Sequence, residues 1–219
     1  EKEIPEVDKY FGVNDIKKII SSSGLDYKQE LTGERFLTTP SHYAYLKISE
    51  GCNRQCSFCG IPLIRGKHIS EPVDALVSEA SWLARQGVRE LILIAQDLTY
   101  YGMDLNRKRL LGHLLNQLAA VEGIEWIRLH YAYPAGFPDD VLRSVSEHDK
   151  ICRYLDIPFQ HISNKVLRNM RRGISTSATY KLIEKIRKEI PDITLRTTLM
   201  VGHPGEGEKE FSELMKFVE

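Results

Sequence analysis

The sequence predicts an α/β fold with a parallel sheet, and three observations support this prediction. Segments with the pattern of a β-strand alternate five times with segments of helical periodicity. Residues 89–95 (RELILIA) form a continuous apolar run, which is typical of a parallel strand covered on both faces. The 219 residues can bury one large core, and a hydrophobic content of 42% is that of an ordinary globular protein. A barrel or partial barrel and an open doubly wound sheet both fit this alternation.

The predicted elements follow one another from residue 41 onward. The strand segments are short apolar or alternating runs, and the helical segments repeat apolar residues at intervals of three and four. Ser70 is the predicted N-cap of the first helix, with Pro72 in its first turn and Gly87 at its end. The predicted strands span residues 44–49, 89–95, 126–132, 152–158 and 193–201. The predicted helices span residues 72–87, 107–121, 138–147, 163–170 and 176–189, and a last one begins near residue 208.

Residues 1–40 do not follow the alternation, and we expect them to be a linker or the remnant of an N-terminal domain. A helix is predicted from about residue 14 to residue 22, and a polar stretch follows it. The sequence starts at Glu1 without a methionine and stops inside an amphipathic helix. We therefore expect residues 41–219 to be an α/β domain of a longer protein, truncated at its C-terminal end.

Composition and charge argue against several classes of function. The formal net charge is zero, so no overall positive field indicates nucleic-acid binding, and none is predicted for this chain. The basic run Arg168, Arg171 and Arg172 is predicted to be a solvated helix face, and docking of a partner or cofactor is the alternative. No apolar run approaches the ~20 residues that cross a bilayer, and no signal peptide is visible, which indicates a cytoplasmic protein. In such a reducing compartment, clustered cysteines are more often metal ligands or redox groups than disulfides.

Three of the four cysteines lie close together at the end of the first predicted strand. Cys52, Cys56 and Cys59 have the spacing C-x3-C-x2-C, and thiolates are soft ligands for zinc or iron–sulfur clusters. A structural zinc usually has four protein ligands; His68 is a conceivable fourth, whereas Cys152 starts a strand and so lies at the wrong end of a parallel barrel. Three alternatives remain: zinc with His68, a redox cluster with a more distant fourth ligand, and buried thiols without metal.

The absence of a fourth cysteine nearby also fits a cluster that takes part in a reaction. Three cysteines can hold three irons of a [4Fe–4S] cluster and leave the fourth iron open to a ligand. Phe58, directly before Cys59, supplies an aromatic wall, and Gly51 and Gly60 let the backbone turn closely around such a cluster.

Polar, aromatic or glycine residues follow every predicted strand. Active sites of parallel α/β barrels lie at the carboxyl ends of the strands, so these residues are expected to meet at one mouth. They are the cysteine loop, Gln96 with Asp97, His130 with Tyr131 and Tyr133, Gln160 with His161, and residues 202–206.

The pattern C-x3-C-x-F-C resembles the signature of the radical S-adenosylmethionine superfamily. The longer string ISEGCNRQCSFCGIPLIRGKHIS resembles the methylthiotransferases of that superfamily. The segments LILIAQDLTYYG, LDIPFQHISNKVLRNMRRG and VGHPGE are similar to the ribosomal-protein-modifying, or RimO-type, branch. The tRNA-modifying branch usually has a GQN-like string where this chain has AQD at 95–97. The resemblance covers roughly residues 38–219 and implies a partial (β/α) barrel with five of six βα units present.

The resemblance also implies an activity and its cofactors. A [4Fe–4S] cluster would bind S-adenosylmethionine at its open iron and cleave it reductively, and the resulting radical would abstract hydrogen from the substrate. A second cluster is expected on an N-terminal domain, and the electron donor would be a protein such as flavodoxin. The implied substrate is an aspartate side chain of small-subunit ribosomal protein twelve. The alternatives are methylthiolation of a tRNA adenosine, or a non-catalytic module that binds zinc or a cluster.

Five residues besides the cysteines are expected to bind the cofactor, and no catalytic residue is assigned. Phe58 would line the pocket, Gln96 would contact the methionine amino group, and Gln160 would hydrogen-bond the ribose or the methionine moiety. Arg196 would meet the cofactor carboxylate as a bidentate partner. The backbone at Val201 would approach the adenine.

Overall fold

The computed structural model describes residues 4, 6–12, 15–25 and 35–219. The chain divides into two compact units, residues 1–35 and residues 36–219. The described part of the first unit contains one helix, α1 (Ile16–Ser22). The predicted start of this helix at residue 14, and most of the polar stretch after it, lie outside the described residues.

The second unit is built on a five-stranded parallel sheet. The strands pair in the order β1-β4-β5-β6-β7, so each consecutive pair is joined by a crossover that contains helix. A two-stranded antiparallel ribbon, β2 with β3, lies between the first two strands of the sheet in sequence. The strands are β1 (Tyr43–Lys47), β2 (Ser49–Glu50), β3 (Ile69–Ser70), β4 (Glu90–Ile94), β5 (Trp126–Leu129), β6 (Ile151–Asp156) and β7 (Thr194–Arg196).

Helices alternate with these strands, which confirms the predicted α/β class and agrees with a partial barrel. Helix α8 (Thr176–Glu189) has the predicted bounds, and the Ser175 hydroxyl caps its start by accepting from the Ala178 amide. The helices are α2 (Ile61–Arg65), α3 (Val73–Arg85), α4 (Met103–Asn106), α5 (Leu111–Ala119), α6 (Asp139–Glu147), α7 (Asn164–Asn169), α8 (Thr176–Glu189) and α9 (Glu208–Val218). No helix in the described ranges is long and apolar enough to span a bilayer.

The helices cover one face of the sheet and leave the other face open. Leu91 and Leu93 of β4 are fully buried in the core, together with the apolar faces of α3 and α5. Glu90, Ile92 and Ile94 alternate with them and are only partly buried. The expectation that this strand is covered on both faces was therefore wrong, because the second face lines the interior of a partial barrel.

Most predicted bounds differ from the structure by a few residues, and three differences have a clear physical reason. Ser70 does not cap α3, because it ends β3 and both its amide and its hydroxyl bind the Asp104 carboxylate, at 2.8 and 2.6 Å. The predicted helix 107–121 is shorter in the structure and spans only α5 (Leu111–Ala119), because Arg107, with a left-handed backbone conformation, ends the preceding α4 and helix does not resume before Leu111. The predicted strand 193–201 pairs only as β7, followed by one isolated bridge between Gln160 and Leu199.

Candidate functional site

A cavity of about 590 Å³ lies at the carboxyl ends of the parallel strands. Every strand of the five-stranded sheet contributes to it, either directly or through the loop that follows the strand. The thiol-bearing residues Cys52, Cys56 and Cys59 all line it. The loops after β4, β5, β6 and β7 contribute Gln96, Tyr131 with Tyr133, Gln160, and Thr198, respectively. Of the residues predicted to meet at the strand ends, the three cysteines, Gln96, Tyr131, Tyr133 and Gln160 line this cavity, whereas Asp97, His130, His161 and residues 202–206 are not part of its lining.

The cysteine loop is fixed at both ends by backbone contacts. The Cys52 amide donates to the Gly66 carbonyl at 3.1 Å, and the Ser57 amide donates to the Met170 carbonyl at 3.1 Å. Gly51 has a φ of +79°, and a Cβ at this position would lie 2.2 Å from the Lys67 carbonyl oxygen. Only glycine fits such an approach without displacing backbone, so the entry to the loop is determined by sterics.

The thiols share the cavity without forming a site for a single ion. Among the described residues, no three His, Cys, Asp or Glu side chains form a group that could hold a metal ion. In a cluster each thiolate binds a different iron, so three thiolates need not converge on one point. Burial raises the pKa of the Cys52 thiol, so its thiolate form requires a nearby positive charge such as iron.

His68 is not placed as a fourth ligand. Its ring is buried, and Nε2 lies 3.1 Å from the Ser70 hydroxyl. That hydroxyl donates to Asp104, so the imidazole belongs to a polar network beneath the loop. The position of the ring argues against the zinc alternative, and Cys152 on β6 does not line the cavity either.

Gln96 lines the cavity, and the orientation of its amide is fixed. Its Nε2 donates to Glu50 Oε1 at 2.9 Å, and this fixes the amide orientation because a carboxylate only accepts. Burial alone would raise the pKa of Glu50, but hydrogen bonds from Lys47 and the Gly51 amide lower it, so the carboxylate is ionised at neutral pH. The Gln96 Oε1 atom is buried and has no partner.

Gln160 is held at the cavity by an unusual backbone conformation. Its φ is +71°, a region that non-glycine residues rarely adopt. Its amide donates to the Thr198 carbonyl at 2.9 Å, and its carbonyl accepts from the Met200 amide at 2.7 Å. These two backbone bonds hold the loops after β6 and β7 together. The side-chain Oε1 atom of Gln160 is buried and has no hydrogen-bond partner.

Two arginines line the cavity beside the thiols, and sequence reasoning did not assign either to the site. Arg54 Nε binds Asp97 Oδ2 at 2.9 Å, and its guanidinium lies 4.0 Å from the ring centroid of Tyr133. Arg172 lies 4.4 Å from the same centroid, and its Nη1 lies 3.3 Å from Cys56 Sγ. Burial raises the pKa of Tyr133 to about 12, so the phenol stays protonated and donates to the Arg172 carbonyl.

The prediction that the whole basic run is solvated was wrong for one member. Arg168 and Arg171 are exposed, whereas Arg172 is only 4% exposed. Arg171 has a φ of +55°, and this left-handed residue after α7 turns the next side chain inward. Spacing alone does not reveal such a turn. The position of Arg54 inside the C-x3-C segment was a signal that could have been used.

Unpartnered polar atoms are concentrated at this cavity. Within the described ranges, eight buried side-chain nitrogen or oxygen atoms lack a hydrogen-bond partner, and four of them belong to residues lining the cavity. Such atoms are rare in folded proteins because each costs about 1–3 kcal/mol. These four are Arg54 Nη2, Gln96 Oε1, Gln160 Oε1 and Arg172 Nε. The cavity is therefore equipped to bind a polar ligand beside its thiols.

The remaining predicted residues divide between the cavity and its surroundings. Phe58 lines the cavity, as does Ile61 at the start of α2. Arg196 does not line it; its Nη1 binds Asp156 Oδ2 at 3.0 Å on the open face of the sheet. Val201 is 60% exposed and also lies outside the lining. The assignments of Arg196 to the cofactor carboxylate and of Val201 to the adenine stay predictions.

Comparison with solved structures identifies the fold. One neighbour is a radical S-adenosylmethionine methyltransferase, TsrM, from Kitasatospora setae, solved with tryptophan and a cofactor analogue. It matches 84% of this chain and 37% of its own chain, with a TM-score of 0.66 and 16% sequence identity. Another is the cobalamin-dependent S-adenosylmethionine radical enzyme OxsB, which matches 80% of this chain and 26% of its own chain at a TM-score of 0.65 and 13% identity.

Comparison with curated sequences gives much higher identity. A protein of Flavobacterium johnsoniae named "Ribosomal protein uS12 methylthiotransferase RimO" is 58% identical over all 219 residues. Proteins of the same name from Cytophaga hutchinsonii and Bacteroides thetaiotaomicron are 57% and 55% identical over 100% and 99% of this chain. The chain spans about half the length of these relatives, 50% in each case.

A family-level comparison agrees with both results. The sequence profile of the Radical SAM superfamily matches residues 46–218, which include the cysteine loop and every residue that lines the cavity. The fold, the position of the three cysteines and this match lead to one assignment: the chain belongs to the Radical SAM superfamily.

Proposed function

We propose that this chain is the cluster-binding core of a methylthiotransferase that modifies an aspartate side chain of ribosomal protein uS12. The observation that carries the proposal is the cavity itself, where three cysteines lie beside four unpartnered polar atoms. The relatives named as uS12 methylthiotransferases support the choice of reaction and substrate. Because the chain spans half their length, the activity of the whole protein is part of the proposal.

The donor set fits a [4Fe–4S] cluster with one open iron. Cys52, Cys56 and Cys59 would each hold one iron, since they line one cavity and do not form a single-ion site in the described part of the chain. Bound there, the cluster and S-adenosylmethionine would supply reductive carbon–sulfur cleavage, and with it the hydrogen-abstracting species. The protein residues bind, orient and shield these groups.

Gln96 would select the amino group of the cofactor. Its amide nitrogen donates to the Glu50 carboxylate, and its carbonyl oxygen is left without a partner. A carbonyl accepts from a methionine ammonium group, and an amide nitrogen in the same place would repel it. Glu50 therefore acts through Gln96, as a positioning residue.

Gln160 and Phe58 would complete the cofactor pocket. Gln160 Oε1 is a second free acceptor, suited to a ribose hydroxyl or to the methionine moiety. Phe58, with Ile94 and Ala95, supplies an apolar lining that excludes water from a reactive site.

The larger protein would supply the other parts of the reaction. Residues 1–40 would be a linker or the remnant of an N-terminal cluster domain, and residues 41–219 the partial barrel. A second cluster on that N-terminal domain would be involved in sulfur transfer, and a flavodoxin-like protein would donate electrons. With a ribosomal protein as substrate, the reaction would take place in the cytoplasm. The proposed reaction does not require this chain to bind nucleic acid directly.

The test is a modification assay on two substrates. The protein is reconstituted anaerobically with iron and sulfide, reduced, and incubated with S-adenosylmethionine and either uS12 or tRNA. We expect the mass increase of a methylthio group on an aspartate-containing peptide of uS12. Modification of tRNA alone would exclude the proposed substrate, and failure to bind iron and sulfide would exclude the enzyme.

A further inference from the structure

Arg172 is a buried cation for which the described part of the chain provides no carboxylate partner. Its side chain is 4% exposed, and none of the ion pairs among the described residues includes it. Arg54, the other arginine at the cavity, is neutralised by Asp97. Burying a permanent charge without a counter-charge is expensive, so an anion that pairs with Arg172 is expected when the site is complete.

The contacts of Arg172 point to that anion. Nη1 lies 3.3 Å from Cys56 Sγ, and Nη2 donates to the Pro158 carbonyl. The guanidinium stacks on Tyr133, whose hydroxyl donates to the carbonyl of Arg172 itself. Three contacts thus hold the side chain against a proposed cluster ligand, a fourth holds its backbone carbonyl, and Nε remains buried and unpartnered.

We propose that Arg172 is a positioning residue that orients the Cys56 thiolate and places a fixed positive charge against the cluster, stabilising its reduced state. This inference rests on the proposed function because it requires a cluster at the three cysteines. A cluster becomes more negative by one charge when it accepts an electron from a low-potential donor. A nearby cation therefore favours the reduced form over the oxidised form, and hydrogen bonds to the sulfur act in the same direction.

The size of the effect follows from the burial of the pair. A charge a few Å from a cluster ligand, in a partly buried site, changes the reduced-to-oxidised ratio at fixed potential by about tenfold or more. Arg172→Gln removes the charge and keeps one donor. Arg172→Lys keeps the charge, but a single ammonium group cannot contact both Cys56 and Pro158 as the planar fork does. Arg168→Gln removes an exposed charge from the same basic run and is the matched control.

The measurement is a redox titration of the reconstituted full-length protein, followed by electron paramagnetic resonance. The signal that changes when S-adenosylmethionine is added belongs to the cluster with the open iron. We expect a more negative midpoint potential in R172Q, an intermediate value in R172K and the wild-type value in R168Q. Iron content measured in the same samples shows whether the cluster is retained.

The outcomes separate this inference from the proposed function. If the wild type binds no cluster, the proposed function fails. If the wild type binds it and R172Q has the wild-type potential, the inference about Arg172 is wrong. If R172Q does not fold, R172K decides: a potential equal to that of the wild type contradicts a role of the guanidinium fork, and a more negative one supports it.

Discussion

Two clefts of the barrel domain differ in how many buried polar atoms of their lining residues lack a hydrogen-bond partner. The cavity at the strand ends has a volume of about 590 Å³, whereas a groove bordered by α6, α7 and α8 has about 960 Å³. The groove is basic: Arg168, Arg171 and Lys181 are exposed, and Lys185 pairs with Asp139 at 2.6 Å. None of the eight unpartnered buried atoms of the described residues belongs to a residue lining the groove, whereas four belong to residues lining the cavity.

This difference teaches that volume is a poor guide to function in this protein. Exposed cations in the groove are satisfied by water, so an empty groove costs little. Each buried unpartnered atom in the cavity costs about 1–3 kcal/mol, and a ligand with complementary groups recovers that free energy. The smaller cleft is therefore the one that requires an occupant, and the following variants test this contrast.

The largest effect is expected for the cysteines. Cys52→Ala, Cys56→Ala and Cys59→Ala should each lose most of the iron and sulfide bound after anaerobic reconstitution, because each removes a ligand that nothing nearby replaces. Cys152→Ala is the matched control and should keep wild-type iron, since this thiol lies on β6 outside the cavity. Equal iron content in Cys152→Ala and Cys56→Ala would contradict the assignment of the cluster to the cavity.

The next effect concerns the rigidity of the cysteine loop. Gly51→Ala should lower the free energy of unfolding by about 1–3 kcal/mol beyond the conformational cost, because its Cβ would meet backbone at 2.2 Å. Gly173→Ala, in the groove, has a φ of +64° but only an ordinary contact at 4.0 Å, so it reports the conformational cost alone. Urea unfolding measures both. Equal destabilisation by the two substitutions would show that the close approach at Gly51 is unimportant.

A smaller effect, on the binding of S-adenosylmethionine, is expected when the unpartnered side-chain oxygens of Gln96 and Gln160 are removed or moved. Gln96→Leu removes an acceptor, and Gln160→Asn shortens the side chain while tolerating the left-handed backbone. Each should weaken S-adenosylmethionine binding about two- to tenfold, the value of one net hydrogen bond. Calorimetry on the reconstituted protein measures the dissociation constant. Lys181→Gln in the groove should leave it unchanged, and a comparable loss in that variant would remove the distinction between the clefts.

The smallest effect concerns pH. Burial lowers the pKa of His68 below its ordinary value of 6.5, with Asp104 and Asp97 opposing the shift. Below pH 6.5 the unfolded chain therefore binds a proton at His68 more readily than the folded chain does. The contribution of His68 to the free energy of unfolding should fall as the pH decreases below 6.5, and it should be constant above pH 6.5. His68→Gln should flatten this dependence. His130, whose pKa burial also lowers, remains in both proteins, so the difference between them reports His68. Identical pH profiles would contradict the shift.

The features that follow from local sequence could be predicted, and those that depend on a single backbone turn could not. The periodicity predicts the bounds of α8 correctly, because local features such as the Ser175 cap seen in the structure determine helix ends. The cysteine spacing predicts that the three thiols lie together, and all three line the cavity; their role as cluster ligands stays a prediction. Arg172 could not be separated from Arg168, because the left-handed conformation of Arg171 that buries it is not encoded by spacing.

The overprediction of β7 has a physical cause of the same kind. The run 193–201 has the composition of a strand, yet only β7 pairs within it before the isolated bridge at Leu199. Its neighbour β6 is followed by Pro158, which has no amide hydrogen to donate, and pairing with the run resumes only at the single bridge from Gln160. Pairing is therefore limited by the partner strand.

The central claim is that the cavity holds a four-iron cluster with one iron open to S-adenosylmethionine. Mössbauer spectroscopy of the ⁵⁷Fe-reconstituted protein, with and without S-adenosylmethionine, tests it most directly because it distinguishes the iron sites. The account predicts that one iron of the four changes its isomer shift when S-adenosylmethionine binds, while the three held by cysteine do not. Four equivalent irons that do not respond to S-adenosylmethionine would contradict it.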